Sequence, residues 1–301
     1  MQWKKRAALW LVVSQLFMGG AWAAAPALQV KVEREPGFVW RLDAPNTLKL
    51  PRNYRVDQPL RASGSGQPSA LNLAAVVNDL KARGVEPGQV VDVDLRQESH
   101  GYFNGAAVSW YGKNNWGNVG LAPAAVTAAE NRQLSQLSGR EETYYSLSKK
   151  KLPKDPVSVQ VLLAPTEEQL AAVFGVGYKR FPCTDHLWPE AQQVDAFLQW
   201  ADTLPPEAWL HFHCQAGVGR TTAFLAIWDI WRNAPQDSLE TITDRQAKLG
   251  GLDLLNLKAT GWMESANARK IYRVRQFYQY TVEKKAGKTN LSWSEYLKQN
   301  P

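Results

Sequence analysis

The chain has little cysteine and little histidine, and both shortages restrict its chemistry. Its 301 residues contain two cysteines, Cys183 and Cys214, too few for the disulfide framework of a small extracellular domain. The four histidines show no His-x-x-x-His spacing, and the sequence contains no Cys-x-x-Cys pair. Because zinc and related ions are usually held by such pairs, the sequence predicts no metal site and no cofactor.

Long apolar runs are missing beyond the first residues of the chain. Residues 4–6 are basic, residues 7–18 are mostly apolar, and small residues form a cleavage site that ends at Ala23. This order is typical of a secretory signal peptide, and an uncleaved membrane anchor is the alternative. We therefore expect residues 1–23 to be removed and residues 24–301 to act in the periplasm or after secretion, without membrane contact.

Neither sign of charge dominates the chain. It has 35 Lys and Arg against 28 Asp and Glu, a formal net charge of +7 at pH 7. This mild excess suits a small polyanionic substrate but is also ordinary for a soluble protein. No helix dense in lysine or arginine is present, so nucleic acid is not an expected partner. The sequence leaves the oligomeric state open.

One short motif points to a specific chemistry. Residues 208–213 predict a buried strand, residues 221–233 predict a helix, and the loop between them runs from Cys214 to Arg220 with two glycines inside. Such a loop directs backbone N–H groups at one spot, where the helix dipole also favours negative charge. A thiol held there loses its proton more easily, and an arginine can bind a phosphate through two N–H groups of its planar guanidinium. A buried structural cysteine is the alternative.

Strands and helices alternate along much of the chain. Further strands are predicted at residues 89–95, 157–163 and 178–181, and further helices at residues 73–82, 189–204, 238–249 and 266–284. This alternation predicts an α/β fold with a mostly parallel sheet flanked by helices. Residues 98–155 break the alternation and predict a small β-rich insertion. Thr166 and Ser292 predict capped helix starts, and the Ser-Gly repeat at residues 63–66 predicts a flexible loop.

Other stretches carry a family resemblance. They are residues 94–101 (DLRQESHG), 107–112 (AVSWYG) with Trp116, 183–189 (CTDHLWP), and Arg245-Gln246 with Gly250-Gly251. With the loop, they make the chain resemble the bacterial protein-tyrosine-phosphatase-like phytases, which hydrolyse myo-inositol phosphates. The resemblance extends from about Arg52 to the C-terminus. It implies a protein tyrosine phosphatase-like fold in which the insertion is a small partial β-barrel.

The resemblance also implies how phosphate esters would be cleaved. Cys214 would attack phosphorus and form a phosphocysteine, and Asp185 matches the general acid of the family. Asp185 could instead be a charge favoured by the N-terminus of the following helix. Thr221 would support the thiolate or be an ordinary first-turn residue. Arg220 and five loop residues would hold the phosphate oxygens: Gln215, Ala216, Gly217, Val218 and Gly219.

A highly charged substrate implies a basic pocket. The run Lys149-Lys150-Lys151 matches a family segment that contacts substrate, although a run of lysines usually lies on a solvated surface. The further substrate contacts that we expect are Lys149, Lys150, Lys151, Arg55, Lys270, His186 and His213. Two positions depart from the family pattern: Lys150 stands where a histidine can occur, and Asn115 stands where relatives carry an aspartate. Because Asn115 carries an amide instead of a carboxyl group, it is doubtful that a second acid lies near Asp185.

The sequence therefore favours an exported, metal-independent phytase. A secreted protein tyrosine phosphatase that acts on phosphoproteins is the alternative, because the loop fits both. A phosphate-binding module with a dead site is disfavoured by the intact set of Cys214, Arg220 and Asp185. We also expect both cysteines to be free in the active enzyme. If the geometry permits a Cys183–Cys214 disulfide, the disulfide would inactivate the enzyme reversibly.

Overall fold

The chain folds around two five-stranded sheets. The computed structural model describes residues 37–258 and 261–301, so the predicted signal peptide lies outside the described residues. The strands are β1 (Val39–Ala44), β2 (Arg55–Asp57), β3 (Ala62–Gly66), β4 (Val90–Arg96), β5 (His100–Phe103), β6 (Ala106–Tyr111), β7 (Glu141–Leu147), β8 (Pro153–Gln160), β9 (Gly177–Cys183) and β10 (Trp209–Cys214). The α-helices are α1 (Ala70–Ala82), α2 (Pro123–Ser135), α3 (Glu167–Val173), α4 (Ala191–Ala201), α5 (Gly219–Asn233), α6 (Leu239–Lys248), α7 (Trp262–Lys285) and α8 (Trp293–Gln299).

The first sheet has the strand order β2-β3-β10-β4-β9. Strand β10 runs parallel to β3 and β4, β4 runs parallel to β9, and only β2 is antiparallel to its neighbour. This arrangement confirms the predicted α/β fold with a mostly parallel sheet. Every residue of β10 is buried, as expected of a central strand that is covered on both faces.

Helices cover both faces of this sheet. On one face, Phe197 of α4 packs edge-on against Phe212 of β10 and Phe224 of α5, with ring centroids 5.7 Å and 5.3 Å away. On the other face, Val76 of α1 joins Trp209 in a second buried cluster. These aromatic contacts and the buried apolar area hold α4 and α5 against β10.

The second sheet has the order β5-β6-β1-β7-β8. Strand β1 is antiparallel to β6 and parallel to β7, so a strand from residues 39–44 lies at the centre of this sheet. The sheet therefore draws on more of the chain than the predicted insertion at about 98–155. That segment also contains α2, which begins at Pro123, a residue suited to a first helical turn. No helix in the described residues has the length and apolar character needed to cross a membrane.

The prediction of a flexible loop at residues 63–66 is wrong. These residues belong to β3, which is buried throughout and pairs in parallel with β10. A Cβ added at Gly64 would lie only 2.7 Å from Thr221 Cγ2, so a larger residue there would displace α5. The glycines permit close packing rather than flexibility. The Ser63 and Ser65 hydroxyls bond the two ring nitrogens of His211, at 2.9 and 3.0 Å.

Candidate active site

The loop between β10 and α5 holds the Cys214 thiol at its centre. The sulfur accepts hydrogen bonds from the Gly217 N–H at 3.3 Å and from the Thr221 hydroxyl at 3.2 Å. Gly217 has a φ of +75°, and an added Cβ would lie 2.3 Å from the backbone nitrogen of Gly66. Only glycine fits this position, so the loop can curl around the sulfur.

Three side chains from one segment hold the outer side of the loop. Arg52 donates to the Gln215 carbonyl, and the Asn53 amide donates to the Ala216 carbonyl at 2.7 Å. These contacts pull successive carbonyls away from the thiol, so that loop N–H groups such as that of Gly217 can face the sulfur. The loop is therefore arranged to receive an anion before any substrate binds.

Arg55 is the third of these side chains, and its predicted role as a substrate contact is corrected. Its guanidinium donates to the Gly217 carbonyl at 2.7 Å and to the Thr222 hydroxyl at 3.2 Å. The residue is only 5% exposed, because it lies behind the loop. Burial lowers the pKa of Arg55 to about 10. Arg55 thus supports the loop and does not line the cavity in front of it.

Arg220 is held in one orientation by Glu98. Its two terminal nitrogens contact the two Glu98 carboxylate oxygens at 2.7 and 2.9 Å, and both side chains are buried. Burial opposes ionisation of Glu98, but Arg220 and Arg96 outweigh it and hold the pKa of Glu98 below its ordinary range. Arg220 Nε has no hydrogen-bond partner among the described residues. The bidentate pair therefore fixes the orientation of the guanidinium, whose Nε is buried.

Asp185 lies beside Arg220 and is held by several donors. Its Oδ1 is 3.2 Å from Arg220 Nη2 and accepts the His186 N–H at 2.9 Å. Its Oδ2 accepts the Asn115 side-chain amide at 2.6 Å. The Trp116 indole donates to the Asp185 carbonyl at 3.1 Å and fixes the backbone of this turn. The structure thus brings the predicted acid next to the predicted phosphate-binding arginine.

A cavity of about 390 Å³ opens in front of Cys214. Among the residues that the structure describes, its cationic side chains are Arg41, Lys151, Lys258 and Lys270, and its one carboxylate is Asp185. Lys270 is mostly buried, and burial lowers its pKa although Asp185 acts in the opposite direction. Loop residues, His186, Asn114, Asn115 and Asn267 contribute polar atoms, while Leu252, Leu257 and Met263 form an apolar wall. The cavity therefore combines a nucleophile with a predominantly positive lining.

Of the remaining predicted substrate contacts, some line the cavity and others do not. Lys151, Lys270 and His186 line the cavity, whereas the exposed Lys149 and Lys150 do not. Sequence analysis did not identify Arg41 or Lys258 as contacts, because each is a single cation outside the segments that carry the family resemblance. Glu98 belongs to the segment 94–101, and nothing in the sequence assigns it a role. Its place between Arg96 and Arg220 became evident only from the fold.

His213 is corrected as a substrate contact. It points away from the cavity, and its Nε2 lies 3.6 Å from Asp92 Oδ1 and 3.5 Å from Glu167 Oε2. Burial lowers its pKa, so the imidazole is neutral at neutral pH. Burial also raises the pKa of Asp92, with Glu167 adding to the effect. His213 therefore belongs to a buried polar cluster under the sheet edge.

Two buried groups in this cluster have metal-ligand geometry, Asp92-Glu167-His213 and Asp94-His100-Glu167, with ligand atoms within 4.8 Å of one another. In the second group, the ring of His100 already contacts Glu167 at 2.9 Å and Asp94 at 3.3 Å. Burial opposes protonation, but Asp94 and Glu130 raise the pKa of His100 to about 10. The group forms an ion-pair network around the protonated imidazole of His100.

Both cysteines are free thiols. Cys183 is buried, and its carbonyl accepts a hydrogen bond from Arg220 at 3.1 Å. Burial raises the pKa of the Cys183 thiol well above its ordinary value, and Glu190 adds to this. The Cys183 thiol therefore remains protonated and poorly nucleophilic, while the Cys183 carbonyl helps to orient Arg220.

A cysteine at the end of a central parallel strand, a tight loop whose Gly217 N–H points at the sulfur and an arginine at the start of the next helix form a loop of the kind found in cysteine-dependent phosphatases. The protein-tyrosine-phosphatase-like phytase family model, described as inositol hexakisphosphate, matches residues 93–232. A phytase of this type from Bdellovibrio bacteriovorus is 31% identical with a TM-score of 0.71, and the match covers 86% of this chain and 94% of that one. The chain belongs to the protein-tyrosine-phosphatase-like phytase family.

Two further relatives are longer than this chain. The tandemly repeated phytase of Mitsuokella multacida is 38% identical with a TM-score of 0.81, over 87% of this chain and 49% of that one. The effector protein hopD2 of Pseudomonas syringae pv. tomato is 30% identical over 168 residues, which are 54% of this chain and 36% of the effector. The chain thus spans about half of the first relative and about a third of the second.

Proposed function

We propose that the protein hydrolyses phytate and other myo-inositol polyphosphates through a phosphocysteine. The observation that carries this proposal is the cavity, which ends on Cys214 and is lined, within residues 37–258 and 261–301, by four cationic side chains and a single carboxylate. A substrate with one phosphate needs only the loop. Cations distributed over the rest of the cavity favour a ligand with several anionic groups.

In the first step, the Cys214 sulfur attacks phosphorus and the bond to the leaving oxygen breaks. The Arg220 guanidinium and the loop N–H groups hold the equatorial oxygens, where charge is concentrated in the transition state. Asp185 gives its proton to the leaving oxygen and becomes a carboxylate. This proton is needed because an inositol alkoxide is a poor leaving group.

In the second step, water attacks the phosphocysteine and the sulfur–phosphorus bond breaks. The Asp185 carboxylate accepts the proton of that water, so the acid is regenerated. The Thr221 hydroxyl, 3.2 Å from the sulfur, donates to the departing thiolate. Inorganic phosphate then leaves and the loop returns to its starting arrangement.

Release of phosphate tests the proposal. Phytate and a phosphotyrosyl peptide are compared at equal concentration with excess chelator. We expect faster release from phytate, since only phytate can engage the cations beyond the loop, and no release by Cys214→Ser. Faster release from the peptide would contradict the proposal.

The second candidate function is dephosphorylation of proteins. The similarity to hopD2 favours it, because that relative is an effector protein. Support for inositol phosphates comes from the Mitsuokella multacida enzyme, which was solved with myo-inositol-(1,3,4,5)-tetrakisphosphate and is 37% identical to this chain. We propose inositol phosphates as the substrates on this basis.

We also propose that the protein is exported, to the periplasm or beyond the cell. The basic start, apolar stretch and small residues before residue 24 support this. Cell fractionation tests it, with the N-terminal sequence of the mature protein as a second measurement. Recovery of the uncleaved chain with the membrane fraction would contradict it.

A further inference from the structure

The chain leaves helix α6 through the two glycines that belong to the family resemblance. Gly250 has a φ of +105°, its N–H donates to the Ala247 carbonyl at 3.0 Å, and the Gly251 N–H donates to the Gln246 carbonyl at 2.9 Å. This pair of bonds ends many helices, and its left-handed position favours glycine. The turn at Gly250 therefore sets the direction of the residues that follow α6.

Gly251 brings these residues against α5. A Cβ added at Gly251 would lie 2.7 Å from the Gln246 carbonyl oxygen and 3.0 Å from Thr222 Oγ1. Because the backbone approaches so closely, the Leu252 N–H donates to the Thr222 hydroxyl at 3.2 Å. Thr222 is buried in the first turn of α5. The chain after α6 is thus attached to the helix that carries Arg220.

Residues 251–258, the wall segment, contain no helix or strand and form one side of the cavity. Leu254 is 1% exposed and anchors the segment in the main core, while Lys258 lines the cavity together with two leucines. The Lys258 carbonyl accepts a hydrogen bond from the Asn267 amide of α7 at 3.4 Å. The wall segment is therefore held at both ends and presents one exposed cation to the cavity.

Asp253 folds the wall segment into a turn. Its Oδ1 accepts the N–H groups of Leu255 and Asn256, both at 3.2 Å, and its Oδ2 accepts the Asn256 side-chain amide at 2.9 Å. An aspartate that accepts the N–H groups of following residues in this way stabilises a turn. Asp253 itself is exposed, so its contribution is confined to the shape of the wall segment.

We propose that Gly251 and Asp253 are positioning residues that place Lys258 in the cavity and so favour substrates with several phosphates. The inference rests on the proposed function, and it assigns selectivity to two residues that do not touch the reacting atoms. A phosphate in the loop is already surrounded by N–H groups and Arg220, so Lys258 is left for another anionic group of the same substrate. A singly phosphorylated ester has no such group.

A side chain at position 251 would displace the wall segment rather than α5. Residues 220–230 of α5 are all buried, and the Thr222 hydroxyl is fixed by bonds to Arg55 and Val218. The wall segment has no regular structure and is partly exposed, so it yields first. The displacement would carry Lys258 with it and leave the loop in place.

Kinetics on two substrates test the proposal. Gly251→Ala adds a methyl group at the contact with α5, and Lys258→Gln removes the charge alone. Gly88→Ala is the matched control, because a Cβ added at Gly88 has no neighbour within 4 Å. KM and kcat are measured for phytate and for a singly phosphorylated aryl ester, and thermal unfolding checks that each variant is folded.

We expect Gly251→Ala and Lys258→Gln each to raise KM for phytate by about fivefold, the upper range for one exposed ion pair. In Gly251→Ala, kcat on phytate and both constants for the aryl ester should scarcely change. In the double variant, KM for phytate should rise no further than in either single variant, because Gly251 acts through Lys258. Gly88→Ala should behave as the wild type.

Two variants of Asp253 separate position from charge. Asp253→Ala and Asp253→Asn both remove a negative charge from the wall segment, so charge alone would lower KM for phytate in both. The asparagine oxygen can still accept the two backbone N–H groups, whereas alanine offers no acceptor. We therefore expect KM to rise by about threefold in Asp253→Ala and not to rise in Asp253→Asn.

Two results would overturn the inference. One is an equal rise in KM for phytate and for the aryl ester in Gly251→Ala, which would show that the loop itself has moved. The other is additive effects of Gly251→Ala and Lys258→Gln on phytate. If Gly251→Ala does not fold, the Asp253 pair decides: a rise in Asp253→Ala that is absent in Asp253→Asn supports the inference, and any other result contradicts it.

The affinity for phytate is also measured in the Cys214→Ser background, where no turnover is expected. A wild type that does not hydrolyse phytate, with a Cys214→Ser variant that binds it, would overturn the proposed function alone. The same substitutions, measured as loss of phytate affinity in that background, would still decide the role of the wall segment.

Discussion

At the scale of single residues, the cations at the active site are of two kinds. Some are held in place by buried hydrogen-bond partners, and others extend from the surface. Arg220 is oriented by Glu98, and Arg41 is oriented by Asp43, Ser109 and Asn115. Lys151 lines the cavity with a φ of +61° and an exposed side chain. Because a mobile exposed lysine contributes mainly charge, its effect on binding depends on the charge of the substrate and on ionic strength.

The structure therefore predicts an effect for one lysine of the run. Lys151→Ala should raise KM for phytate by about tenfold, the equivalent of roughly 1.4 kcal/mol, and should scarcely affect a singly phosphorylated aryl ester. Added salt should reduce the difference between wild type and variant. Lys149→Ala is the matched control, since Lys149 lies in the same run but outside the cavity. Equal effects of the two substitutions on KM for phytate would refute this role.

At the scale of elements, the loop is determined by the contact of β3 with the start of α5. A Cβ added at Gly217 would lie 2.3 Å from the backbone nitrogen of Gly66, and a Cβ added at Gly64 would lie 2.7 Å from Thr221 Cγ2. In contrast, the space around Gly219 is open. The same loop thus contains a glycine required by packing and a glycine that is not.

This contrast gives a stability prediction. Gly217→Ala should destabilise the protein by about 3 kcal/mol or more, because the new methyl group meets backbone atoms and φ is positive. Gly219→Ala should change the free energy of unfolding by about 1 kcal/mol or less. Chemical denaturation measures both values. Similar losses in the two variants would mean that the loop is not packed against β3 as described.

Elements with a local signal were predictable from sequence, and those that depend on distant packing were not. The boxes Thr166–Gln169 and Ser292–Glu295 cap α3 and α8, as predicted, because a cap uses only neighbouring residues. The glycines of β3 predict a flexible loop from sequence, because α5, against which Gly64 packs, lies far along the chain. Helix α2 lacks a side-chain cap and was not predicted.

At the scale of the whole molecule, buried ions join the two sheets. Arg180 of β9 contacts Asp94 of β4 at 2.9 Å and Glu130 of α2 at 2.8 Å. His100 of β5, in the second sheet, contacts Asp94 and Glu167. The network was invisible to sequence analysis, because its members come from five elements and share no short spacing. The active site has the same character, since Arg41, Asn115 and Asp185 meet only in the fold.

The network makes stability depend on pH. The pKa of His100 is raised from 6.5 to about 10. The stabilisation of the folded state by protonated His100 is therefore complete below about pH 6.5 and is lost as pH rises towards 10. His100→Gln should lower the free energy of unfolding at pH 6 by about 3–5 kcal/mol, the usual cost of removing one member of a buried ion pair. It should also flatten the decline between pH 6.5 and 10.

Denaturant unfolding at several pH values measures both effects. His186→Gln is the control, because burial lowers the pKa of His186 and its side chain is 39% exposed. We expect that variant to retain the wild-type decline at alkaline pH. An unchanged slope in His100→Gln would show that the imidazole does not hold the proton that the network assigns to it.

The central claim is that Cys214 carries the phosphoryl group during turnover, and mass spectrometry after rapid mixing tests it most directly. The enzyme is mixed with excess phytate, quenched by denaturation within one turnover and digested. The account predicts one added phosphoryl group on the peptide that contains Cys214, none on the peptide that contains Cys183, and none on either in Cys214→Ser. Turnover of phytate by Cys214→Ser, or phosphate release by the wild type without a phosphorylated Cys214, would contradict the account.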